Sequence, residues 1–261
     1  MDTNEALELI ASLEGYLHDL RNTGVDGLPL KCATVAPSFV STPDAVAPEV
    51  KHSAAAALPT QPEHPVVSSD KGPAGGLDGI REELGDCHRC RLGDSRTTLL
   101  FGSGNPKPRL VFVGDVPGGD EDHQGILFVG EEGQLLTKII QAMGLRREDC
   151  YLCTVMKCRP PKDRTPQSDE VQECYPFLHK QLKALGPEVI VALGTFVSQH
   201  MLKTKEPISK LRGVFHDYHG ISLMPTFHPG YLLKNAAMKR EVWEDMQKVM
   251  KRLGMELPGK R

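Results

Sequence analysis

The apolar positions of residues 77–254 alternate between two periods. Short continuous runs read as buried strands, and longer stretches at three- and four-residue spacing read as helices. Residues 109–113 (Arg-Leu-Val-Phe-Val) predict a strand ending at Gly114. Residues 131–143 predict a helix closed by Gly144, and 151–156 a second strand. Ser168 is placed to cap a helix to residue 185, ended by Gly186-Pro187. Residues 188–193 predict a third strand, and Thr195 caps a helix to residue 202. Residues 214–218 and 221–225, around His219-Gly220, form a hairpin or two neighbouring strands, and 239–253 a last amphipathic helix. This alternation predicts an α/β fold: a three-layer α/β/α domain with a mainly parallel central sheet. Sites in such sheets lie beyond the carboxyl ends of the strands. That rule selects segments 114–130, 154–166, 193–196 and 226–234.

The first third of the chain has a different pattern. Leu7, Ile10, Leu13, Leu17 and Leu20 predict one amphipathic helix, and residues 1–30 hold that helix and the turn at Gly24–Gly27. Residues 33–76 contain seven prolines, nine alanines and a single aromatic, Phe39. Such a stretch buries too little to offset its ordering entropy. A disordered Pro/Ala-rich linker is expected over 31–76, and a folded domain over 77–261.

Of the 261 residues 39% are hydrophobic, enough for a core and too many for wholesale disorder. No apolar run reaches the roughly 18 residues of a membrane span. Residues 1–10 are acidic and carry no signal-peptide pattern. A soluble, cytoplasmic monomer is the expectation. The net charge of −3 divides into −6 over residues 1–76 and +3 over the rest. The mildly basic part is compatible with nucleic acid and does not require it.

Seven cysteines, an odd number in a chain of this kind, speak against a disulfide scaffold. Cys32 falls in the linker. Four thiolates suit one zinc ion or an iron–sulfur cluster, and spacing does not choose the metal. Cys87 and Cys90 combine with Cys158 and Cys174, or with Cys150 and Cys153. The first set is favoured, because Cys150 and Cys153 lie in or beside a buried strand. Three-residue spacing there sends the two thiols to opposite faces of the sheet.

Two loops carry further chemistry. Gly114-Asp115-Val116-Pro117-Gly118-Gly119-Asp120-Glu121-Asp122 follows a strand directly. Its carboxylates would repel phosphate, so it is no phosphate loop; they suit an electron-poor sugar or a water nucleophile, or form a solvated acidic turn. Phe128, between glycines, is a stacking platform or a core aromatic. His228, before Pro229, is a donor to a developing anion or a turn residue.

Together these segments resemble the family 4, iron–sulfur uracil-DNA glycosylases. The family pattern Gly-Glu-x-Pro-Gly-x-x-Glu-Asp stands here as Gly114–Asp122, and Gly-x-Pro-Phe-Val-Gly-x-Ala-Gly-x-Leu-Leu as Gly125–Leu136. Lys157-Cys158-Arg159-Pro160-Pro161 resembles its Lys-Cys-Arg-Pro-Pro, and His228-Pro229 its His-Pro-Ser/Thr. Three departures matter: Asp115 replaces Glu, Gly230 replaces Ser/Thr, and Thr154 replaces an Asn that reads uracil through a two-pronged amide contact. Losing such a contact costs on the order of 1–3 kcal/mol.

The resemblance implies hydrolysis of the N-glycosidic bond of uracil flipped out of single- or double-stranded DNA, in base excision repair. It implies Asp115, Glu121 and His228 as catalytic groups. The carboxylates would face the sugar cation or orient water, and His228 would bond uracil O2. Phe128 would stack on the base, with Val116 backbone and Thr154 at its edge. Lys157, Arg159, Lys162, Arg164 and Lys234 would touch phosphates. Cys87, Cys90, Cys158 and Cys174 would hold a structural [4Fe–4S] cluster. Apart from the resemblance, the separate N-terminal helix suggests a tether to a repair or replication partner. Three rival readings stand beside these: a damaged-DNA-binding module with little catalysis, a glycosylase shifted to another base such as hypoxanthine, and a zinc protein using the same thiols.

Overall fold

A computed structural model describes residues 76–257 of the chain. The expected N-terminal helix and, apart from Gly76, the linker lie outside the described residues. In chain order the elements are α1 (Gly76–Leu84), α2 (Leu92–Ser95), β1 (Ser103–Gly104), β2 (Leu110–Gly114), α3 (Gly119–Gln124), α4 (Gly130–Ala142), β3 (Tyr151–Thr154), α5 (Ser168–Leu185), β4 (Val189–Leu193), α6 (Thr195–Leu202), α7 (Ile208–Leu211), β5 (His216–Tyr218), β6 (Ile221–Thr226), α8 (Pro229–Lys234) and α9 (Lys239–Arg252). Short 3-10 turns join several of them.

The strands form one six-stranded sheet in the order β1-β3-β2-β4-β6-β5. Its centre, β3-β2-β4-β6, is parallel. Both edges are antiparallel, β1 on β3 and β5 on β6. The sheet is therefore mixed, which corrects the expectation of a mainly parallel one. The β5–β6 connection is the hairpin alternative. His219 (φ 52°) and Gly220 (φ 84°) both take left-handed backbone, as a two-residue hairpin turn requires. The other edge left no trace in the pattern, because β1 is only Ser-Gly.

Every position of β2 and β4 is buried, the mark of strands covered on both faces. Alternation sends Leu110, Phe112, Val189 and Val191 to one core, with Leu136 and Ile140 of α4, Leu232 of α8 and Val242 and Met246 of α9. Val111, Val113, Ile190 and Ala192 point into the other, with Leu178 and Leu182 of α5 and Val197 and Met201 of α6. This gives the three layers. A small third cluster, Leu84, Phe101 and Phe177, fastens α1 to α5. α5 ends at a left-handed Gly186, as the sequence predicts. Its cap is Gln167 rather than Ser168. The Glu170 carboxylate accepts the Gln167 N–H at 2.8 Å and supplies the capping itself.

Candidate active site

Parallel pairing brings the carboxyl ends of the central strands level. Gly114 pairs with Thr154, and Leu193 with Thr226. The chemistry-bearing segments leave the sheet at these four points.

The acidic turn after β2 divides its carboxylates between tasks. Asp122 is buried and accepts the Thr97 N–H at 3.0 Å and the Thr98 N–H at 3.2 Å, which secures the preceding loop. Glu121 accepts the Gly118 N–H at 2.7 Å through one oxygen and the Phe128 N–H through the other. Burial pushes its carboxyl up, against the pull of those two donors. Both oxygens of Glu121 are thus committed to backbone, and it acts as a strut for the loop. Asp115 remains half-buried. Its Oδ1 accepts the Val116 N–H at 2.9 Å, so the backbone donor expected at the base edge is taken up by the neighbouring side chain.

The strut explains Phe128. This residue is left-handed (φ 54°), a conformation disfavoured for a bulky side chain. Glu121 holds its N–H, and the half-buried Arg147 guanidinium donates to the carbonyls of Leu127 and Phe128, the latter at 3.1 Å. The ring then lies against Gly114, where a Cβ would sit 2.7 Å from Cζ, and close to the Thr154 methyl. Phe128 is only 6% exposed and belongs to the core on that side of the sheet, the core-aromatic reading of the sequence. Thr154 is buried, and its hydroxyl donates to the Met156 carbonyl at 2.6 Å.

His228 caps α8. Its Nδ1 accepts the Gly230 N–H at 3.1 Å, which leaves Nε2 to carry the ring proton. Nε2 lies 3.7 Å from Asp115 Oδ1. A network that the sequence reading missed supports this turn. Asp245 of α9 accepts the Thr226 hydroxyl at 2.7 Å and Arg212 Nη2 at 2.8 Å. Arg212 also covers the Phe227 ring, which stacks on Tyr231 with centroids 5.0 Å apart. An aspartate on an otherwise amphipathic helix was the only available signal.

The expected phosphate contacts separate. Lys157 is 1% exposed, and its Nζ donates to the Thr154 carbonyl at 2.7 Å, so it does not reach phosphate; that expectation is corrected. Arg159 is paired with Asp163 at 2.8 Å and Arg164 with the buried Glu170 at 2.6 Å. Lys162 and Lys234 are exposed. So are Ile126, Tyr231 and Leu233, on the loops of Phe128 and His228.

Cys87, Cys90, Cys158 and Cys174 line one pocket, closed by Leu84, Leu99, Met156 and Phe177. Three of the sulfurs receive N–H donors: Cys87 from Arg89 at 3.3 Å, Cys158 from Arg96 at 3.6 Å, Cys174 from the Lys157 backbone at 3.3 Å. Cys150 and Cys153 are fully buried and fall in the two opposite cores, as their spacing predicts. Among the described residues no group of three or more His, Cys, Asp or Glu side chains closes on a single metal ion.

A carboxylate and a histidine thus face each other above parallel strand ends, with an aromatic ring on the strand glycine. The Uracil DNA glycosylase superfamily matches residues 101–247, and the chain belongs to it. It is 44% identical over 176 residues to the type-4 uracil-DNA glycosylase of Thermotoga maritima, covering 66% of this chain and 92% of that one. It is 37% identical over 190 residues to that of Archaeoglobus fulgidus, covering 70% and 96%. With that of Saccharolobus solfataricus it shares 37% over 186 residues, covering 68% and 86%.

Proposed function

We propose that the protein is a uracil-DNA glycosylase that hydrolyses the bond between uracil and C1′ in DNA. The observation that carries this is the approach of Asp115 and His228 above the sheet, 3.7 Å apart. Breaking the bond places positive charge on the sugar and negative charge on uracil; water then adds to C1′. Asp115 has an oxygen to offer the cation or the water, and His228 Nε2–H faces the departing base. Phe128, fixed by Glu121 and Arg147, walls the base pocket. Lys162 and Lys234, exposed and without an ion-pair partner among the described residues, are the phosphate contacts. Exposed Leu233 and Tyr231 would fill the gap left by a flipped nucleotide.

Cys87, Cys90, Cys158 and Cys174 would hold a [4Fe–4S] cluster, which supplies a structural tie between the start of the domain and α5. The donor set fits. Three sulfurs take N–H bonds, and the Lys157 ammonium is buried beside them with one carbonyl partner, which calls for compensating negative charge. Visible absorbance and iron content separate this from a zinc site.

The test uses the purified, iron-containing protein with oligonucleotides carrying one U·G pair, one single-stranded uracil, or one hypoxanthine. Alkali cleavage at uracil, lost in Asp115→Ala, is the expected result. Cleavage at hypoxanthine alone would assign the Thr154 pocket to another base. DNA binding without any cleavage would make the protein a damage-binding module.

A further inference from the structure

The loop that leaves β3 closes on itself at residues 159–164. The Pro160 carbonyl accepts the Asp163 N–H at 3.2 Å, which makes a four-residue turn with Pro161 and Lys162 at its centre. Lys162 (φ 57°) and Asp163 (φ 53°) are both left-handed. Glycine or asparagine is the usual third residue of such a turn, because a longer side chain disfavours that backbone. A lysine there, followed by a second left-handed residue that is not glycine, is strained backbone.

Two ion pairs hold the strained turn in place. Arg159 donates to both Asp163 oxygens, at 2.8 and 3.0 Å. Arg164 donates to both oxygens of the buried Glu170, at 2.8 and 2.6 Å. Two-pronged pairs of this kind fix direction as well as distance. The Arg159 guanidinium also lies on Gly119, where a Cβ would sit 3.0 Å from Nη2. The turn is thus anchored to the acidic loop that carries Asp115 and Glu121. Lys162 itself is exposed, and among the described residues its ammonium has no ion-pair partner.

We propose that residues 159–164 are a preorganised clasp for the DNA backbone, in which Asp163 is a positioning residue for Lys162 and the Lys162 ammonium takes a phosphate. The proposal rests on the reading of the protein as one that acts on DNA. Glycine would make this turn without strain. A lysine that weakens its own turn is accounted for by a contact made outside the turn. Because the loop is ordered before DNA arrives, that contact forms without the entropy loss of freezing it. Arg159 serves the clasp through Asp163 and not a phosphate.

Lys162→Gly, Lys162→Ala and Asp163→Gly test it, in the iron-containing protein with a fluorescent duplex that holds no uracil. Both Lys162 variants should weaken binding about fivefold and reduce the slope of log affinity against log salt by about one. Lys162→Gly should at the same time raise the folding constant about fivefold in urea unfolding, whereas Lys162→Ala, which keeps the strained backbone, should leave it within about twofold. Asp163→Gly allows the same backbone and removes the carboxylate. It should weaken binding although it takes away a negative charge, and should add nothing to the loss in Lys162→Ala. An unchanged salt slope in Lys162→Ala would overturn the proposal. So would a Lys162→Gly variant no more stable than the unaltered protein, or tighter binding by Asp163→Gly. If the unaltered protein releases no uracil, the glycosylase reading fails and the binding titration still decides the clasp.

Discussion

His228 Nε2 and Asp115 Oδ1 face each other at 3.7 Å although they leave the sheet from β6 and β2, with β4 between them. One is fixed by the cap of α8 and the other by its own Val116 N–H, so neither depends on the other for its place. Asp115→Ala and His228→Ala should each slow uracil release at least about a hundredfold. Melting temperature and DNA binding should stay near those of the unaltered protein. Single-turnover kinetics and a binding titration check this together.

Glu121 should behave as a structural carboxylate. In Glu121→Gln the amide presents N–H to either Gly118 or Phe128, so one buried donor loses its acceptor. The expected loss is about 1–3 kcal/mol of stability, read by denaturant unfolding. Activity should fall with it, because Glu121 and Arg147 together hold Phe128 left-handed.

Lys157 and Lys234 should separate in a salt titration. Lys234→Ala should reduce the slope of log affinity against log salt by about one, the signature of one phosphate contact. Lys157→Met should leave that slope unchanged, because its ammonium is buried on the Thr154 carbonyl, and should lower the iron retained on purification.

Acid should loosen the capping of α5. The Arg164 hydrogen bonds, then the Gln167 N–H and the nearby Arg91 charge, hold the Glu170 carboxyl below its ordinary value. A carboxyl depressed in the folded state stabilises the fold above its unfolded pKa, and that contribution disappears as pH falls through the folded value. Stability should therefore drop below the ordinary glutamate range, and Glu170→Gln should flatten that drop while lowering stability at neutral pH. Urea unfolding across pH 3–7 measures both.

Thr154→Asn should strengthen uracil binding by about 1–3 kcal/mol, the worth of a two-pronged amide contact. Inhibition by free uracil reads it directly. No change would mean that the amide follows the present hydroxyl, which bonds the Met156 carbonyl instead of facing the pocket.

Much of this molecule was legible in its sequence, for identifiable reasons. β2, β3 and β4 declared themselves through apolar runs, and the four loop segments follow from their parallel order. The thiols sorted themselves because strand alternation had to part Cys150 from Cys153. The failures share a cause: a charged residue's type does not reveal its partner. Lys157 reads as a phosphate ligand and is buried; Glu121 reads as a catalytic carboxylate and holds two N–H groups. The edge strand β1, two residues without an apolar side chain, has no pattern to find.

The back-to-back placement of Cys150 and Cys153 bears on how the protein meets oxidants. Both are fully buried, and burial raises their thiols to about 12 and about 11, so each is protonated at neutral pH and a poor nucleophile. The sheet lies between them, which forbids a disulfide between these close neighbours in sequence. Among the described cysteines Cys87, Cys90 and Cys174 are the better exposed, so peroxide meets those thiols before this pair. The cores on both sides of the sheet keep their packing meanwhile.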